Sequence, residues 1–140
     1  MSAPQWKHFE HGADIGVYGS GTTVAEAFIQ AALALTAVIT NPDDVAAITK
    51  LEIDCDAPDV ELLFVDWLNA LIYEMAIRNM LFSRFEMDLT ANHLHAFVWG
   101  EKLDQNKHQP AVEVKGATYT ALEVGHDKGG LWYAQTVVDV

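Results

Sequence analysis

Cysteine occurs once in this sequence, at position 55, so no internal disulfide can form and no thiolate cluster can hold zinc or an iron-sulfur centre. Cys55 reads instead as a small buried hydrophobe in a strand. Basic residues are also scarce: 8 Lys and Arg stand against 20 Asp and Glu, a formal net charge of −12. So anionic a surface repels a phosphate backbone, which argues against direct, unassisted binding to RNA or DNA and suits cations or a basic protein surface. Much of the charge also serves simply to keep a small domain soluble. No uncharged run approaches the ~20 residues needed to cross a bilayer. The most apolar stretch, Leu62 to Ile77, is interrupted by Asp66, Asn69 and Glu74 and reads as a buried helix. Met1 to Gln5 carry neither the basic nor the apolar region of a secretory signal, so a cytoplasmic location with no membrane partner is expected. Also missing are Gly-x-Ser-x-Gly, a phosphate-binding glycine loop and a cysteine nucleophile arrangement, and nothing in the motifs spells out an enzyme.

What is present is a chain of 140 residues, 51% hydrophobic, the size of one domain with one core spanning residues 1–140. Thr23 followed by Glu26 forms a capping-box pattern, and apolar residues then recur at Val24, Phe28, Ala31, Leu35 and Val38 until Asn41-Pro42 stops them. This predicts a first helix over Val24 to Ile39. Asp59 caps a second, whose stripes Leu63, Trp67, Leu71, Met75 and Phe64, Leu68, Ile72 imply burial on more than one side. Period-two alternation predicts strands at Leu51 to Cys55 and Phe85 to Leu89, the latter entering a hairpin with His93 to Glu101. A closing hairpin is expected from Thr118 to Gly125 and Leu131 to Asp139 across Gly129-Gly130. Short strands are expected at Trp6 to Glu10 and Ile15 to Tyr18, and Leu103 to Gln109 reads as the long polar loop. Two main helices and about seven strands without regular alternation predict an α+β domain with a mostly antiparallel or mixed sheet.

Three constellations could carry chemistry. Asp14 lies in a glycine-flanked connection between two strands, where an aspartate also commonly bonds its own turn. The sequence ends in the strand Thr136 to Val140, which sets the Val140 α-carboxylate beside the Asp139 side chain; two anions together call for a cation, a proton or water. Oxygen-only ligands of this kind favour calcium, magnesium or manganese over zinc. Lys107 and His108, together with Lys115, Thr118 and Tyr119, could contact phosphate or a carboxylate partner, although on these residues alone an exposed lysine and a threonine chosen for its β-propensity account for them better. His93 and His95 share a strand face, but no further ligand follows at a recognisable spacing, so a zinc site is not expected there. Trp67, Trp99 and Trp132 read as core or hairpin packing.

The order of these groups resembles the archease family. The likeness runs through His8-Phe9-Glu10-His11, Ala13-Asp14-Ile15-Gly16, the helix from Thr23 to Ala34, Leu62-Leu63 with Trp67-Leu68, Phe82, Phe85, Gly100-Glu101, His108, Val114-Lys115, Ala117-Thr118-Tyr119, and Trp132 ahead of Val138-Asp139-Val140. The resemblance implies a compact fold related to strand-helix-strand-strand modules, and a divalent metal ion, calcium first and magnesium or manganese otherwise, held by Asp14, Asp139 and Val140. It implies a protein that is not itself an enzyme. Its partner would be a GTP- and manganese-dependent RNA ligase of tRNA splicing and RNA repair, whose guanylylation and multiple turnover it promotes, with RNA reached only through the ligase. Lys115, Thr118 and His108 would be contact candidates for phosphate or partner. Gly12 stands where relatives usually carry threonine, and Thr120 where histidine is common; neither departure removes a proposed metal ligand. Two other readings are a chaperone or modulator of another nucleic-acid-modifying enzyme, such as a methyltransferase, and a metal-dependent phosphoesterase using Asp14, Asp139 and Lys115, which lacks an evident general base.

Overall fold

The computed structural model describes residues 3–140; Met1 and Ser2, read above with the N-terminal segment, lie outside the described residues. Local chemistry sets the first helix, α1 (Val24–Ile39), within the bounds its sequence predicts. Thr23 Oγ1 accepts from the Glu26 amide at 3.1 Å, while the Glu26 carboxylate reaches past Thr23 to take the Thr22 amide at 2.7 Å and hydroxyl at 2.8 Å. Asn41 then caps a short 3-10 turn, Pro42–Asp44. In the second helix, α2 (Val60–Arg78), Asp59 Oδ1 accepts from the Leu62 amide at 2.9 Å, and Asn79 ends the helix in the left-handed region at φ 54°.

Eight strands complete the described residues: β1 (Gln5–His11), β2 (Asp14–Gly21), β3 (Thr49–Asp56), β4 (Met80–Thr90), β5 (His93–Lys102), β6 (Gly116–Ala117), β7 (Glu123–His126) and β8 (Trp132–Asp139). They form two sheets. One runs β1-β2-β8-β6, with β7 also on β8; the other runs β3-β5-β4. Every pairing is antiparallel, which resolves the expected antiparallel or mixed sheet.

Both helices touch both sheets. Helix α1 packs on β1, β2 and β8 and reaches β4; α2 packs on β3, β4 and β5 and reaches β6 and β7. This is why α2 carries two apolar stripes. Trp67, fully buried on α2, donates its indole N–H to the Phe28 carbonyl of α1 at 3.0 Å, so its one polar atom is satisfied inside the core. Phe28 and Phe64 pack at 5.0 Å between ring centroids, and Trp67 meets Phe85 edge-on at 6.0 Å. Thr36 donates to the Phe82 carbonyl at 2.6 Å, tying α1 to β4.

β4 begins five residues before the expected Phe85 and the short β6 was not expected, and two further segments change character. The chain from Thr118 to Leu122 does not continue as a strand; only Glu123–His126 does. Thr118 turns its amide (2.9 Å) and hydroxyl (2.8 Å) together onto the Val137 carbonyl, and Thr136 Oγ1 bonds the Thr118 carbonyl at 2.6 Å. Such side-chain bonds compete with a regular ladder, and Ala121 takes φ 57° to complete the turn. The polar loop Leu103 to Gln109 contains a one-turn helix, α3 (Gln105–His108), because Asp104 Oδ1 accepts from the amides of Asn106 and Lys107 at 2.9 and 3.1 Å.

Cys55 is half-buried on the inner side of β3, as read from the sequence. Its thiol is pushed up to about 11, first by burial and then by the charges of Asp66, Asp54 and Asp56. The reactive thiolate is then on the order of a hundredfold scarcer than in an exposed cysteine at neutral pH. Alkylation of the native protein by iodoacetamide at pH 7.5 is expected to lag a cysteine peptide by a comparable factor; equal rates would contradict this environment.

Candidate functional site

Asp14 opens β2 directly after a two-residue turn in which Gly12 has φ +61°, the pattern of a type II′ hairpin with glycine first. The turn closes with His11 opposite Asp14. On the other side of β2, Ile15 pairs with Val138 of β8, so the last residues of the sequence run alongside the β1-β2 turn. The Val140 amide points at Asp14 Oδ1 at 3.4 Å. Asp139 pairs with Gly116, and its carbonyl accepts from the Lys115 amide at 2.9 Å. Asp14, Asp139, Val140 and Lys115 therefore share one end of the five-stranded sheet. Asp14 and Val140 are half-buried, Asp139 and Lys115 exposed.

Asp14, Asp139 and Val140 offer oxygen as their only ligand atoms. Such a set fits a hard cation of the calcium, magnesium or manganese kind. The Val140 amide is a long, weak donor to Asp14, which leaves most of that carboxylate's acceptor capacity available.

The remaining contact candidates are engaged elsewhere. Thr118 follows β6, with its hydroxyl spent on the Val137 carbonyl. His108 is 3% exposed and sits in α3. The Asp104 amide donates to its Nδ1 at 2.9 Å, so Nδ1 is unprotonated, and Nε2 carries the hydrogen given to Glu101 Oε2 at 2.9 Å. The same Glu101 oxygen accepts from Lys107 Nζ at 2.7 Å and the Ala46 amide at 2.9 Å. These donors, Lys107 first, hold the Glu101 carboxyl down at about 2. His108 thus serves as an internal strut and offers no nitrogen to a partner.

Sequence spacing missed a second cluster. On the outer face of the three-stranded sheet, Glu52, Asp54 and His95 each place a ligand atom within 4.8 Å of the other two. The hydrogen bond between Asp54 and His95 is the first cause both of Asp54 being held below the ordinary carboxylate range and of His95 being lifted. The signal lay in the pairing of β3 with β5, which spacing along one strand does not reveal.

The sequence profile of the Archease protein family (MTH1598/TM1083) matches residues 6–140. The chain belongs to the archease family. Protein archease of Pyrococcus furiosus is 36% identical over 140 residues, covering 97% of this chain and 99% of that protein. Protein archease of Methanosarcina mazei is also 36% identical, covering 97% and 96%. The solution structure of Methanobacterium thermoautotrophicum protein 1598 covers 100% of both chains with a TM-score of 0.77 at 26% identity. The crystal structure of a Thermotoga maritima archease, described as a possible chaperone, covers 96% of each chain with a TM-score of 0.58 at 22% identity, a likeness of fold alone. The single α+β domain described above is thus an archease domain. No described helix is long and apolar enough to cross a membrane.

Proposed function

We propose that this archease is a protein cofactor, not an enzyme, that activates a GTP-dependent RNA ligase in the cytoplasm, using the sheet end that carries Asp14, Asp139 and Val140. The observation that supports the reading is the approach of the Val140 amide to Asp14 at 3.4 Å, a contact between two of the three residues implied as metal ligands by the family resemblance. These three residues would hold a divalent cation, calcium, magnesium or manganese, and the bound charge would relieve their repulsion and tie the chain end to the β1-β2 turn. The acidic end docks beside the ligase active site and speeds guanylylation between turnovers. Lys115, exposed next to Asp139, would contact phosphate or the partner at the rim. A net charge of −12 suits docking on the basic surface that a ligase needs for RNA, and leaves RNA itself to the ligase.

The test is multiple-turnover joining of RNA 3′-phosphate and 5′-hydroxyl ends by the cognate ligase, with the parent protein or Asp14→Ala. The parent is expected to stimulate strongly, and Asp14→Ala to return turnover to that of the ligase alone while unfolding at the parent's midpoint. Full stimulation by Asp14→Ala would remove the acidic end from the mechanism. No stimulation by the parent would turn attention to a different nucleic-acid-modifying enzyme, such as a methyltransferase, as the partner.

A further inference from the structure

The outer face of the three-stranded sheet carries a ladder that the proposed function leaves unused. Strand register sets Asp56 opposite His93 and Asp54 opposite His95 across β3 and β5, with Glu52 one step along and Asp88 of β4 on the far side of His95. Period-two alternation turns Ile53, Leu94 and Ala96 to the core and leaves this row at the surface.

The row alternates carboxylate and imidazole with alternating distances. Asp56 Oδ1 lies 2.9 Å from His93 Nδ1, and His93 Nε2 lies 3.4 Å from Asp54 Oδ1. Asp54 Oδ1 then lies 2.9 Å from His95 Nδ1, and His95 Nε2 lies 3.4 Å from Glu52 Oε2. The two short separations are hydrogen bonds in which Nδ1–H donates to a carboxylate. A neutral imidazole has one N–H, so each Nε2 is left with a lone pair facing a second carboxylate oxygen.

Two acceptors face to face repel unless a proton or a metal ion lies between them. The 3.4 Å gap is long for a hydrogen bond. It matches the ligand-to-ligand edge of a tetrahedral ion, since donors ~2.0–2.1 Å from zinc stand roughly 3.3–3.4 Å apart. A carboxylate on Nδ1–H with Nε2 left free is also how proteins orient metal-binding histidines. Hydrogen bonding has therefore already fixed the ring tautomers and orientations that a metal would require.

We propose that Glu52 and the Nε2 of His95, with Asp54 orienting the ring through Nδ1–H and His93 alongside, form a binding site for a borderline divalent transition-metal ion of the zinc type. The imidazole separates this site chemically from the oxygen-only set at Asp14: nitrogen ligands favour zinc, copper and nickel, whereas carboxylates alone favour calcium and magnesium. The two sites stand on different sheets and fill independently. Being open to solvent, the ladder leaves room for water to complete the coordination shell.

The experiment is a zinc chloride titration of the full chain at pH 7.5 by calorimetry, with calcium in excess to occupy the Asp14 end. His95 ring signals are followed by long-range proton-nitrogen spectroscopy. The parent is expected to bind one zinc ion with a shift at His95 Nε2. Glu52→Gln and His95→Gln are each expected to weaken binding at least about tenfold, the loss seen even for residues that only orient a ligand. Both side chains are exposed or half-exposed, so unfolding midpoints should match the parent and separate lost ligation from lost fold. Asp14→Asn should bind zinc as the parent does. Unaltered zinc affinity in His95→Gln, an unmoved His95 Nε2 signal, or equal loss in Asp14→Asn would each overturn the site.

Discussion

Gly19→Ala is expected to cost on the order of 3–5 kcal/mol of folding stability, enough to leave the domain largely unfolded under mild denaturing conditions. Gly19 lies on β2 between Trp6 of β1 and Ala134 of β8, with α1 across its face. A Cβ there would run into the Ala31 amide nitrogen and the Ala27 carbonyl oxygen, and would lie 2.8 Å from the Gln30 carbonyl carbon. These are helix backbone atoms, and no side-chain rotation can clear them. The strand and helix meet this closely because Ala27 and Ala31, both fully buried, add only methyl groups at the contact. Relief would require α1 to lift, which would pull Phe28 from Phe64 and strain the Trp67 bond to the Phe28 carbonyl. Gly116→Ala is the control, because a Cβ there meets only the Asn69 side-chain oxygen at 3.7 Å, ordinary contact. Its change should stay within about 1 kcal/mol. Urea unfolding followed by tryptophan fluorescence measures both, and equal midpoints would show that α1 can yield at no cost.

What could be read from the sequence divides along the range of the interactions. Helix α1 was predictable to its end residues because Thr23, Glu26, Asn41 and Pro42 act within a turn of where they stand. Trp67 was correctly read as core because its neighbours repeat at helical spacing along α2. The Thr118 to Leu122 turn was not predictable: β-branched residues there suggest a strand, and only contact with Thr136 and Val137 shows the threonine hydroxyls bonding backbone carbonyls instead. The His93-His95 pair failed as a metal pattern for a related reason. Its complementary carboxylates stand on β3, about forty positions earlier in the chain, and only sheet register brings them alongside. For the Asp14 end, the residues were singled out by their types and by family likeness, while the antiparallel run of β2 with β8 supplies the approach of Val140 to Asp14.

Glu101 and His108 carry part of the family likeness, and the structure gives them an internal role that the likeness leaves undefined. Both belong to the resemblance, and His108 was a contact candidate, yet the pair fastens the end of β5 to α3 and to the segment after the 3-10 turn. The His108 side chain is fully buried, and its own carbonyl accepts from Thr40 Oγ1 at 2.6 Å, so α3 is anchored to the end of α1 as well. Glu101→Ala would leave the His108 Nε2–H without an acceptor in a site closed to water, a loss of about 1–3 kcal/mol. The pH dependence follows from the Glu101 carboxyl, which is held down from 4.5 to about 2 by Lys107 first, with Ala46 and His108 assisting. A folded carboxyl that titrates below its unfolded value stabilises the protein above the unfolded value, and that stabilisation is lost as pH falls from 4.5 toward about 2. The parent should therefore lose unfolding free energy steeply across that window, and Glu101→Gln, with no carboxyl to protonate, should be less stable at pH 7 and flatter in acid. Urea unfolding at pH 7, 4.5 and 3 gives the comparison, and parallel pH profiles for parent and Glu101→Gln would show that the carboxylate does not carry this contribution.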